Sequence, residues 1–99
     1  MADQVLKYID DSDARAEFLK TFFDKNAQSD GLSDQADALG GIFMEVCEEL
    51  GFDPITYDDV SAEKTDDTSG GKADKLNFDE FTKKYGVYIF RALKNKNGL

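Results

Sequence analysis

The stretch Leu76-Asn77-Phe78-Asp79-Glu80-Phe81, LNFDEF, decides the fold, because a helix start is written into it and apolar residues follow at helical spacing. Asn77 is a favoured N-cap. Glu80, three residues on, completes a capping-box variant in which side chains and backbone amides satisfy one another. From there Phe78, Phe81, Tyr85, Tyr88, Ile89, Ala92 and Leu93 predict an amphipathic helix that closes near the polar tail Lys94 to Gly98.

Upstream, Leu39, Ile42, Phe43, Val46, Cys47 and Leu50 keep one helical face, and Gly51 stands where a left-handed C-cap is wanted. Gly40 and Gly41 each cost about 1 kcal/mol against alanine inside a helix, which favours a start after them. Between these two helices, Asp53 as cap, Pro54 in the first turn, and Ile55 and Val60 predict a short third helix. The first segment aligns Val5, Ile9, Ala16, Leu19 and Phe23, with Phe18 and Phe22 beside them. Asp10 to Asp13 can interrupt it, with Ser12 capping a new helix. Apolar residues almost never alternate, so strands find little support. The expectation is an all-α chain in which helix, acidic loop, helix occurs twice, the loops being DKNAQSDGLSDQ and TDDTSGGKADK.

With 99 residues, 40% of them hydrophobic, the chain can bury one modest core and no second domain. Its 21 acidic against 12 basic side chains, a net charge of -9, disfavour nucleic acid and anionic membranes and suit a basic peptide or a divalent cation. There is no histidine, hence neither the commonest general base nor the commonest zinc ligand, and a non-enzymatic protein is expected. The lone Cys47 cannot form an internal disulfide and reads as a small buried hydrophobe. No signal-peptide pattern opens the chain, and no apolar run nears the roughly 18 residues of a membrane span, so a cytoplasmic protein is expected.

A hard cation such as calcium takes roughly six to eight oxygen ligands, so a loop that binds it alternates Asp, Asn or Ser and ends in a bidentate Glu opening the next helix. LNFDEF resembles the closing end of such an EF-hand loop. FFDKN at Phe22 to Asn26 resembles the end of an entering helix with the first ligands, and ELGFDP at Glu49 to Pro54 resembles the linker joining the two EF-hands of a calmodulin lobe. With these fragments in this order, the chain resembles a single calmodulin or myosin-light-chain lobe. The resemblance implies paired EF-hands: four main helices and two loops joined by a short β-type contact, with Leu76 pairing with its sister loop. It divides the domain into a helical extension 1-12, a first hand 13-51, a second hand 52-94 and a tail 95-99.

Both loops depart from the family pattern. A twelve-residue register counted back from Glu80 places Gly71 and Ala73 where side-chain ligands belong. A fourteen-residue register resembles the pseudo-EF loop of the S-hundred proteins, and implies that the carbonyls of Asp67, Gly70, Lys72 and Lys75 join the Glu80 carboxylate in a weak site. Loop one offers Asp24, Asn26, Gln28 and Asp30. With Leu32 at the pairing position, however, the closing Glu falls on Ala36, which has no side-chain oxygen. At most one calcium site is expected, and solvated turns are the plain alternative for both loops.

The resemblance also implies a groove for a basic amphipathic target helix, of IQ type for instance, formed by Phe18, Leu19, Phe43, Met44, Val46, Tyr85 and Ile89, against ordinary core packing as the plainer role of each. Met44 is the sole methionine after the initiator, which favours one dedicated partner over many. A dimer of S-hundred type is compatible with the same resemblance. The function expected is that of a light-chain-like binding protein with weak or absent calcium binding, the alternative being a sensor or buffer with one site. A rival from another class, an acyl-carrier protein, is similar at Asp37-Ala38-Leu39, yet Ala38 stands where the attachment serine belongs and LNFDEF has no role there.

Overall fold

The structure, a computed structural model, describes residues 2–64 and 75–99. It is predominantly helical. The elements are α1 (Ala2–Asp10), α2 (Ser12–Asn26), β1 (Leu32–Ser33), α3 (Ala36–Leu50), α4 (Tyr57–Glu63), β2 (Lys75–Leu76), α5 (Phe78–Phe81), a π-helical turn (Thr82–Gly86) and α6 (Val87–Asn97). The strands pair antiparallel, Leu32 opposite Leu76 and Ser33 opposite Lys75, so the short contact between loops lies at the expected leucines. Among the described residues no helix is long and apolar enough to cross a membrane.

The interruption near Asp10 is real, but Asp11 caps α2 in place of Ser12. Asp11 leaves the helical region (φ -107°, ψ 102°), and its Oδ1 accepts from the amides of Asp13 and Ala14 at 3.1 Å each. Arg15 then folds α2 back against α1 by donating Nη1 to the carbonyls of Tyr8 (2.9 Å) and Ile9 (3.2 Å), which lie in the last turn of α1. Burial, and then the nearby Arg91 charge, lower the Arg15 pKa from its ordinary value. The N-terminal segment is therefore part of the core: Val5 is fully buried, and Tyr8 stacks on Phe18 with ring centroids 4.7 Å apart.

Helix α3 begins at Ala36 and runs straight through Gly40 and Gly41. Leu39, Ile42 and Phe43, all fully buried, flank the glycines, and their burial outweighs the propensity cost of the pair. Gly51 ends the helix at φ 78°, with its own amide on the Glu48 carbonyl and that of Phe52 on the Cys47 carbonyl, a Schellman arrangement. Helix α4 starts later than the Asp53-Pro54 pair suggests. Thr56 and Asp59 form a reciprocal capping box (2.9 and 3.1 Å), which satisfies two amides at once, while Ile55 is buried just ahead of the helix.

The Asn77/Glu80 capping box forms as the sequence predicts, with distances of 2.9 and 2.8 Å. The helix beyond it is not uniform. The π-helical turn takes in an extra residue and rotates the downstream stripe, so Phe90 is fully buried while Tyr88 is only partly so.

A Cβ added at Gly41 meets no atom within 4 Å, and the residue is exposed in mid-helix. Gly41→Ala is expected to raise stability by about 1 kcal/mol, read as a higher urea midpoint at unchanged slope.

Candidate functional site: paired loops and the Tyr85 cluster

The paired strands set Leu32 and Ser33, at the end of loop one, beside Lys75 and Leu76, which lead into α5. Loop one turns back through mutual hydrogen bonds between Gln28 and Gly31 (2.8 and 3.0 Å), and Gly31 adopts φ 119° directly against strand β2. A Cβ there would lie 2.7 Å from the Leu76 carbonyl oxygen, a backbone atom that cannot swing aside. Only glycine combines this φ with this approach.

The loop-one candidates do not share one centre. Asp24 lies within α2 and pairs with Lys20 at 2.9 Å, while Asn26 donates to the Phe22 carbonyl (2.8 Å) and to Glu45 Oε1 (2.9 Å). Gln28 is held through its backbone. Asp30 faces Lys75 at 3.9 Å, and Ala36 opens α3 without a side-chain oxygen. Glu80 Oε1 already accepts the Asn77 amide. Asp67, Gly70 and Lys72 lie outside the described residues. Among the described residues no cluster of three or more His, Cys, Asp or Glu side chains is arranged to hold a metal ion.

The proposed groove residues are mostly interior. Leu19, Phe43, Val46, Tyr85 and Ile89 are buried, Phe18 is half-buried, and Met44 on the outer face of α3 is 49% exposed. Cys47 lies in the same core, where burial pushes its thiol up.

The polar centre that sequence reading missed surrounds Tyr85. Asp34 Oδ1 accepts the Tyr85 hydroxyl at 2.6 Å and Oδ2 accepts Lys84 Nζ at 2.5 Å, with the Asp34 side chain only 7% exposed. Lys64 Nζ sits 4.6 Å from the Tyr85 ring centroid, and Tyr57 packs at 6.2 Å. Asp34 thus ties the start of α3 to the π-helical turn instead of capping α3, whose N-cap Gln35 makes no side-chain cap. The partners are separated by about fifty positions, and no local pattern connects them. Burial, and then the hydrogen bond to Asp34, raise the Tyr85 pKa well above its ordinary 10.0.

Compared with family models, with curated proteins and with solved structures, the chain matches none.

Gly31→Ala is expected to cost about 1–3 kcal/mol and to broaden or shift the amide resonances of Leu32 and Leu76 in an NMR spectrum. Alanine at this site without loss of stability would show that the close approach is relaxed in solution.

The raised Tyr85 pKa fixes the sign of an alkaline effect. The folded chain holds the phenolic proton more tightly than the unfolded chain, so this contribution is complete below about pH 10 and falls as pH rises beyond it. Urea midpoints measured from about pH 8 to about pH 11 are expected to drop more steeply for the wild type than for Tyr85→Phe. At neutral pH Tyr85→Phe is expected to cost about 1–2 kcal/mol, since Asp34 loses a donor and keeps Lys84.

Proposed function

We propose that this chain is a non-enzymatic, EF-hand-like binding protein that holds a basic amphipathic helix of a target protein, and that it does so without calcium. The observation that carries this reading is the antiparallel pairing of Leu32 with Leu76, which joins the residues just before α3 to those just before α5. The LNFDEF capping box beside it follows the pattern from which the family resemblance came. The engaged side chains of loop one support calcium independence. Asp24, Asn26 and Asp30 are each drawn to a partner within the protein, and a cation would have to displace Lys20 and Lys75 from two of them. The net charge of -9 favours a cationic target.

Isothermal titration of the protein with a synthetic leucine-lysine amphipathic helix about 18 residues long, in EGTA and again in millimolar calcium, tests the reading. Binding is expected in both, with dissociation constants agreeing within about twofold. Binding only in calcium would replace the proposal with a sensor. In that case the Gly70 and Gly71 amides should shift on calcium titration in the wild type and not in Glu80→Gln. Absence of binding in both conditions would end the helix-binding reading.

A further inference from the structure

Two adjoining depressions of about 400 and 340 Å³ share Phe22 and Glu49, and together make an open groove across the outer faces of α1, α2 and α3. At its floor lie the half-buried Tyr8 and Phe18 and an edge of Phe22, which is only 9% exposed. Tyr8, Phe18 and Phe22 form a connected row, with Tyr8 and Phe18 4.7 Å apart and Phe18 and Phe22 5.1 Å apart between ring centroids. Its rim is acidic, with Glu17 on α2 and Glu45, Glu48 and Glu49 on α3. Of the two lysines that line it, Lys25 is already paired with Glu45 at 3.0 Å, and Lys7 is left. Glu17, Glu48 and Glu49 have no ion-pair partner among the described residues.

The placing of the glutamates on α3 is unfavourable for the helix itself. The last turn of α3 carries no basic residue, and Glu48 and Glu49 sit beside the negative end of the helix dipole. Such an arrangement raises the energy of the free protein and lowers that of a complex in which cations reach the same spot. A second copy of this chain would bring its own charge of -9 to the same rim, so like charges oppose self-association there.

We propose that this outer groove, and not the closed interior, is where the target docks. The occupant is a lysine- or arginine-rich amphipathic helix of a partner protein, with its apolar side on the partly exposed Tyr8 and Phe18 and its cations against Glu17, Glu48 and Glu49. This location rests on the helix-binding reading above, and it allows binding without opening the core in which Leu19, Phe43 and Ile89 are buried.

The test uses the same leucine-lysine peptide and the full chain. Glu48→Lys/Glu49→Lys is compared with Asp37→Lys/Asp58→Lys, which makes an equal charge change at exposed positions that do not line the groove. The groove variant is expected to bind at least tenfold more weakly while its Tm holds or rises, because the substitutions place cations at the end of α3. The control is expected to bind within about threefold of the wild type. Equal weakening in both variants would mean that net charge alone attracts the peptide and would overturn the groove. Unchanged binding in the groove variant, with the wild type binding well, would overturn the location and leave the helix-binding reading standing. A wild type that binds no peptide would overturn both. A wild type of dimeric mass by light scattering that becomes monomeric in the groove variant would replace the partner helix with a second copy.

Discussion

Leu32 and Leu76 face each other across two short strands, both nearly inaccessible to solvent, and most of the architecture is arranged around that contact. A two-residue strand pair is too small to stabilise itself, so the leucines depend on the core beneath them. In return the pair sets where each loop ends and where α3 and α5 begin. Gly31 lets the backbone pass within reach of the Leu76 carbonyl, and Asn77 and Glu80 start α5 immediately after the strand. A one-residue slip of either strand would turn that strand's leucine outward.

The polar cluster at Tyr85 makes a second tie between the same halves. Asp34 follows β1 directly and reaches the π-helical turn, so the start of α3 is joined to the helix on the far side of the strand pair. Partial burial makes this cluster costly to break, since removing one member leaves charge or a hydroxyl poorly solvated. The wide turn that presents Lys84 and Tyr85 also rotates the following helix and brings Phe90 under α1, where it meets Tyr8 and Phe18. A local irregularity in the backbone thereby recruits the N-terminal segment into the core.

Electrostatics divide the surface differently from packing. The acidic groups of loop one are turned to neighbouring lysines or amides, whereas the glutamates closing α3 are left against the helix dipole and near an aromatic groove. Asn26, and then Lys25, hold the Glu45 carboxyl below the usual range, which keeps it ionised at the edge of that groove. The charge of loop one that suggested a metal site in the sequence is thus largely satisfied within the protein, whereas Glu48 and Glu49 on α3 have no ion-pair partner among the described residues.

Much of the local structure was legible in the residues. The Asn77/Glu80 box, the Gly51 terminus and the apolar face of α3 follow from spacing and side-chain chemistry over a few positions, whereas the pairing of the two leucines was implied only by the family resemblance. Capping was legible only in kind: Asp11 and Thr56 took the places expected of Ser12 and Asp53, because neighbouring polar residues offer competing caps, Asp11 satisfying two amides with one oxygen and Thr56 forming a reciprocal box with Asp59. The helix through Gly40 and Gly41, the π-helical turn, the meeting of Asp34 with Tyr85 and the groove across α1, α2 and α3 were decided by tertiary structure alone. Each depends on burial or contact between residues far apart in the chain, and such energies overrule local propensity without leaving a pattern within any one segment.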